Sequence, residues 1–444
     1  MTPPEGGEAT RSYGRGARIL SVGIATTGLV TFAFFSLASH ALGEVEYKGI
    51  TLLWSVMFLI ISIIYRPVEQ LLSRTISSRR ARGVAGAHPL RTAVAIQASF
   101  AALFLAVALG FRSRIERDVF DGSAALYWVL VVGVLAYAVS YFARGWLAGH
   151  SRFALYGGLV LLESCSRCLF ALAVVLGIAS GQSAVALGIA AAPLVSLVVV
   201  PWALRGRDPV PPPGAATAEG GGLREGTGFA GAVLVIMAAE QALLNVPVVV
   251  ADATAEDAAL AGFVFNVLLI TRAPLQLFQA IQTSLLPHLS GLAATDESED
   301  FARALRVTIL AIAAFAGAVV LGLAVVGPRA MDLLFGGDFD YGRGGLVLVG
   351  LGMGFHLIAG TLNQAALARG RAGYAAAAWL GCATVFIGWL LLAALDDPLL
   401  EVEVGYCATT ALLALALWLI ERSGAVQGSA EPSRPGPGDP INGA

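Results

Sequence analysis

Three polar clusters interrupt apolar stretches of the chain, and each holds groups that could bind an ion or move a proton. Glu163 and Arg167, in "LLESCSRCL", stand four residues apart. On a helix they share one face and can pair. Such a pair either lines a polar cavity or locks a helix bundle by neutralising itself. Glu240, in "AAEQALLNVP", has no basic residue within one turn, while Gln241 and Asn245 are i, i+4 neighbours and Pro247 loosens the backbone beyond them. A carboxylate in such a setting must be protonated, paired across helices or hydrated. Glu240 is therefore a candidate for binding a proton or a small cation. The third cluster is "ITRAPLQLFQAIQTSLLPHLSG", in which Arg272, Gln276, Gln279 and Thr283 are spaced 4, 3 and 4 apart. That spacing makes one polar helical face. Lipid cannot face it cheaply, so it is expected either to line a water-filled vestibule or to be consumed by hydrogen bonds between helices. Pro274 and Pro287 are expected to bend this helix and end it early. Arg66 and Glu69, in "YRPVEQLLSR", offer a matching polar end in the first half of the chain.

Other chemistry is excluded by what the pattern lacks. Cys165 and Cys168 form a C-x-x-C inside an apolar helix. A zinc site needs two further ligands and a redox site needs an exposed thiolate, so these two, with Cys382 and Cys407, read as packing residues. No H-E-x-x-H, Walker loop or G-x-S-x-G occurs. "GLGMG", 350–354, has no strand before it and reads as close helix packing. The sequence points to no catalytic residue, no cofactor, no metal and no nucleic-acid partner, hence to a protein that is not an enzyme.

The elements that position these clusters are membrane spans. The chain has 444 residues, 57% hydrophobic and 13% charged, with mean hydropathy +0.77; soluble domains average about 25% charged residues. A spanning helix needs about 20 mostly apolar residues. Twelve candidates follow: 17–40, 49–65, 92–111, 124–142, 154–178 and 184–204, then 228–250, 258–279, 307–326, 344–362, 373–395 and 402–420. The fold class is all-α and polytopic. The apolar run after Arg18 is longer than a signal-peptide core and reads as an uncleaved first span. The Pro/Gly-rich segment "RGRDPVPPPGAATAEGGGLREG" divides the spans six and six. The expected organisation is an N-terminal arm over 1–16, a six-helix lobe over 17–204, a linker over 205–226, a second lobe over 227–422 and a disordered tail over 423–444.

Twenty of the 28 basic residues fall on the side that holds both termini and the linker, six on the other side and two, Arg167 and Arg272, within spans. By the positive-inside rule both termini are cytoplasmic. All basic residues but Lys48 are arginine, as expected of a GC-rich bacterial genome. The halves also repeat weakly. Arg66-Pro67 matches Arg272 and Pro274, and "LAGHSRFALYG" matches "LARGRAGYAAA". An even number of spans per half implies a pseudo-twofold axis along the membrane normal.

"YRPVEQLLSR", "RAPLQLFQAIQTSLLPHLSGL" and "LLFGGDF" resemble polysaccharide-biosynthesis membrane proteins of the multidrug/oligosaccharidyl-lipid/polysaccharide (MOP) exporter superfamily, over about 17–422. The resemblance implies two six-helix lobes around a central cavity that opens alternately to each side. It implies that spans one, two, seven and eight line this cavity, which would bring Arg66, Glu240, Gln241, Asn245, Arg272, Gln276 and Gln279 to it. It implies flipping of a polyprenyl-pyrophosphate-linked oligosaccharide across the bacterial cytoplasmic membrane, with membrane lipids around the protein and a proton or sodium ion as a possible coupling partner. The alternative is a cation-coupled multidrug exporter of the same superfamily. A membrane-embedded polysaccharide polymerase or glycosyltransferase fits less well, because the loops are short and catalytic groups are missing.

The topology is tested by cysteine labelling with an impermeant reagent in sealed cells. Single cysteines at Ser123, Asp338 and Asp397 should react from outside and one at Gly220 should not; reaction at Gly220 would overturn the orientation.

Overall fold

The computed structural model describes residues 23, 26–31, 33–38, 40–83, 88–199, 201, 223–254, 259–295, 297–335, 342–392, 395 and 397–428. The arm expected over 1–16, most of the linker and most of the tail lie outside them. Among the described residues there is no strand. The helices are α1 Thr26–Ala38, α2 Glu44–Ile64, α3 Arg66–Ala81, α4 His88–Gly110, α5 Ala124–Gly149, α6 Phe153–Val175, α7 Gly181–Ser196, α8 Leu223–Thr254, α9 Ala259–Ala294, α10 Ser298–Phe335, α11 Arg343–Ala368, α12 Ala372–Leu392 and α13 Pro398–Gly428.

Ten described segments are long and apolar enough to cross a membrane. α1 is a shorter apolar helix, and α9 covers the eighth expected span. Outward faces carry side chains such as Leu103, Leu169, Leu321 and Leu391, each more than 60% exposed. In the most apolar window of α10 only 11% is buried inside the protein, which marks it as a peripheral, lipid-facing helix. This is a multi-pass membrane protein.

Two elements depart from expectation. The basic segment after span two is not a surface loop. After a single turn at Tyr65 it continues as α3 and buries Val68, Glu69, Gln70, Leu72 and Ser73. Pro67 occupies its first turn, where the missing N–H costs nothing. Likewise α9 does not end at Pro287 but runs on to Ala294. Both extensions arise because the two helices pack on each other, and that contact offsets what propensity and proline cost them.

The internal repeat is visible in the backbone. α5 ends with the Arg152 N–H bonded to the Leu147 carbonyl, and α11 ends with the Arg371 N–H bonded to the Ala366 carbonyl. Each closure needs a left-handed residue, Ser151 (φ 57°) in one half and Gly370 (φ 74°) in the other. This is the six-to-one closure of a Schellman end. The same pair of helices meets in each half: α5 packs on α3, and α11 packs on α9.

Between membrane helices close packing replaces the hydrophobic effect as the driving force. Gly145 is a point of close backbone approach in the α3–α5 contact. A Cβ there would lie 2.8 Å from the Glu69 carbonyl oxygen and 2.9 Å from its Cα, which are backbone atoms that cannot swing aside. Gly145→Ala should therefore destabilise the protein by about 1–3 kcal/mol, read as a lower melting temperature in detergent. Gly158→Ala, where a Cβ meets nothing within 4 Å, should leave it unchanged.

Candidate functional site

Two polar networks lie inside the halves, and a polar seam joins the halves. The first network is built on α6. Glu163 is 1% exposed. Its carboxylate accepts from Ser140 Oγ at 2.5 Å on α5 and from Ser196 Oγ at 3.3 Å on α7, and it pairs with the Arg144 guanidinium on α5. Helical spacing predicts Arg167 as the partner, and here the structure corrects the sequence reading. Arg167 instead donates to Tyr137 Oη and Ser164 Oγ, each at 2.7 Å, and its guanidinium lies over the Trp54 ring at 4.9 Å. The physical reason is reach. Arg144 comes from a neighbouring helix and meets the carboxylate head-on, while Tyr137 and Trp54 cover the edge and face of Arg167. The arginine bias counts Arg144 among the surface charges near the end of α5, yet it is 8% exposed.

The second network is built on α8. Glu240 lies 3.5 Å from His356 Nε2 on α11, close enough to pair when the imidazole is protonated. His356 is 1% exposed, and its Nδ1 lies 3.2 Å from Tyr406 Oη on α13. The structure thus brings a candidate partner to this carboxylate from another helix. Gln241 and Asn245 serve each other: Asn245 Nδ2 donates to the Gln241 carbonyl at 2.8 Å and to its Oε1 at 3.2 Å. His356 and Tyr406 were missed by the sequence reading. A lone histidine in "GMGFHLIAG" and a tyrosine in "VGYCATT" carry no motif, and only the fold brings them to Glu240.

The seam is formed by α3 and the second part of α9. Arg66 Nη2 donates to Gln282 Oε1 at 3.5 Å, Ser78 Oγ to the Ser290 carbonyl at 3.2 Å and Arg82 Nε to the Ala294 carbonyl at 3.2 Å. Arg82 thus meets a carbonyl in the last turn of α9, where a cation is favoured. The apolar part of the seam joins Val68, Leu72 and Ile76 to Leu285, Leu286 and Leu289. A small polar cavity remains, lined by Arg66, Glu69, Gln70 and Ser73 on one side and by Gln282 and Thr283 on the other. Glu69 is held there by Tyr156 Oη at 2.8 Å. Of the expected site residues, Arg66 is therefore at the seam, while Glu240, Gln241 and Asn245 lie within the second half. Arg272, Gln276 and Gln279 belong to α9, and their side chains lie outside the described residues. Gln282, which the sequence reading passed over, is the glutamine that meets Arg66.

No family model matches the chain, and no curated protein does. Solved structures do. A mutant form of the Vibrio cholerae MATE transporter VcmN is 14% identical with a TM-score of 0.74, covering 95% of this chain and 98% of that one. A MATE in complex with MaL6 has 14% identity and a TM-score of 0.77, covering 95% and 97%. A MOP superfamily transporter from Pyrococcus furiosus has 14% identity and a TM-score of 0.73, again covering 95% and 97%. The chain has the fold of these MATE transporters.

The revised pairing makes a prediction. Breaking a buried pair by removing one partner typically costs about 3–5 kcal/mol, because the other charge is left uncompensated. Glu163→Gln and Arg144→Gln should each destabilise strongly, and the double change should cost well below their sum. Thermal unfolding of the two singles and the double gives the coupling. A larger coupling between Glu163 and Arg167 than between Glu163 and Arg144 would contradict the observed geometry.

Proposed function

We propose that this protein is a transporter of the bacterial cytoplasmic membrane that flips a polyprenyl-pyrophosphate-linked oligosaccharide by alternating access, for the synthesis of cell-surface polysaccharide. Transport, not catalysis, is its activity. The observation that carries the reading is Arg66. It is a partly buried cation at the seam between the halves, and among the described residues no carboxylate lies within ion-pair distance of it. A fixed positive charge on a polar path favours an anionic ligand, and a pyrophosphate cannot cross the bilayer core without one. With both termini cytoplasmic, as the arginine bias favours, the α3–α9 seam is the cytoplasmic gate and is closed. Opening then consists of drawing α9 away from α3.

On the same reading Arg272, in α9, is the cation that takes the phosphate of the substrate. It offers a permanent charge with bidentate donors suited to phosphate. Gln276, Gln279 and Thr283 continue the path with neutral hydrogen bonds, weak enough to release the ligand. Glu240 and His356 are the coupling element: between them they can hold one proton, or give up His356 in favour of a small cation.

A second reading, cation-coupled multidrug export, is favoured by the Glu240–His356 pair, since a buried carboxylate suits a cationic drug. Two neighbours on this fold bear on the choice. One is titled a multidrug resistance MATE family transporter. The Pyrococcus furiosus protein is described by the reverse polarity of its binding pocket, taken there to suggest a different function.

The deciding experiment is complementation of a flippase-deficient strain, scored as surface polysaccharide at matched protein level. Arg272→Gln should abolish export from a folded, inserted protein. Arg272→Lys should keep part of it, because charge survives while the planar fork is lost. Full export by Arg272→Gln would return the polar face of α9 to helix packing. Drug resistance conferred by the wild type without polysaccharide rescue would establish the second reading.

A further inference from the structure

The seam cavity contains two opposite deficits. Arg66 makes a single described hydrogen bond, to the amide oxygen of Gln282, and at 3.5 Å it is long. A phosphate oxygen is a far better acceptor for a guanidinium than an amide, because the bond is charge-assisted and can be bidentate. On the same wall of the cavity, about one helical turn further along α3, Gln70 is 8% exposed, and its Oε1 is buried without a hydrogen-bond partner. A buried acceptor left empty is costly, and a hydroxyl donor would satisfy it. An unfilled cationic donor beside an unfilled acceptor matches a ligand with an anionic oxygen next to a hydroxyl. Glu69 sharpens the match. Its carboxylate, anchored by Tyr156, opposes a purely anionic ligand and accepts from a sugar hydroxyl.

We propose that the cavity between α3 and α9 recognises a glycosyl phosphate, Arg66 taking the phosphate and Gln70 a sugar hydroxyl, and that filling it holds the seam open. The proposal rests on the flippase reading for its biological ligand. In the closed seam the cavity measures about 20 Å³, enough for a water and too small for a sugar. The ligand therefore enters only when α9 leaves α3, so it binds the open seam and not the closed one. A ligand shifts a conformational equilibrium by its differential affinity for the two states. Here that difference is large because one state has no room. Capture of Arg66 also removes the hydrogen bond from Arg66 to Gln282, the described side-chain-to-side-chain bond across the seam. Headgroup recognition and gate opening become a single event.

The test uses the full-length protein in lipid nanodiscs, with Cys165, Cys168, Cys382 and Cys407 replaced by alanine and the changes Ser78→Cys and Ser290→Cys added across the seam. Cross-linking of the pair by a short thiol reagent reports the closed state. Glucose 1-phosphate should slow it several-fold, inorganic phosphate less, and glucose not at all. Arg66→Gln should remove the response to both phosphates. Gln70→Leu should make glucose 1-phosphate no better than phosphate. Cross-linking of each variant without ligand shows that its seam still forms. If Arg66→Gln does not form the seam, Arg66→Lys should show a weakened response in its place. An unchanged rate with glucose 1-phosphate, or a full response in the Arg66 variant, would overturn the proposal. So would an equal effect of sulfate, which would mean an adventitious ion only. Polysaccharide rescue by the wild type with an insensitive seam would sink this site alone. A responsive seam without rescue would sink the flippase reading and leave the site standing.

Discussion

A charge inside a membrane bundle must be answered by something other than water, and most of the interior follows from that. An ionised side chain at the centre of a spanning helix costs about 2.5–3.5 kcal/mol on insertion scales, so each buried ion dictates what its neighbours present. Glu163 draws two hydroxyls and a guanidinium from α5 and α7. Three helices that could slide past one another as smooth apolar rods are thereby held in one register. Arg167 is answered differently, by a phenol, a hydroxyl and the face of an indole. Its positive charge is therefore spread over neutral groups and not met by a carboxylate of its own.

The second half solves the same problem with the opposite sign. Glu240 is answered by an imidazole, and the imidazole by a phenol. The partner here is thus an imidazole and not the permanently charged guanidinium of the first half. The pseudo-symmetry of the backbone, seen in the matched helix ends at Ser151 and Gly370, thus carries chemically unlike halves. One holds its buried carboxylate with a guanidinium, the other with an imidazole.

The seam between α3 and α9 depends on both constraints. It combines an apolar strip with few, long or backbone-directed hydrogen bonds. Among the described residues, no ion pair joins α3 to α9. Gly145, where α3 presses on α5, ties α3 to the first half, so that in the proposed opening α3 would part from α9 and stay with its own lobe.

The sequence by itself determined the class of the protein. Runs of about 20 apolar residues, a Pro/Gly-rich break and the arginine bias lead to an all-α, polytopic chain of two sixes, because insertion reads local composition. It also picked out Glu163, Arg167, Glu240 and Arg66, because ionisable residues in apolar runs are conspicuous. Partner choice was beyond it. Whether Glu163 meets Arg167 or Arg144 depends on how α5 and α6 are rotated against each other, and helix spacing is silent about neighbouring helices. The same holds for His356 and Tyr406, which stand 116 and 166 positions beyond Glu240; α13 packs on α11 and sets Tyr406 against His356, whose other nitrogen faces Glu240. The extensions of α3 and α9 were hidden for a related reason. A basic, proline-containing segment reads as a loop until a second such segment is laid against it, and only the tertiary structure brings the two together.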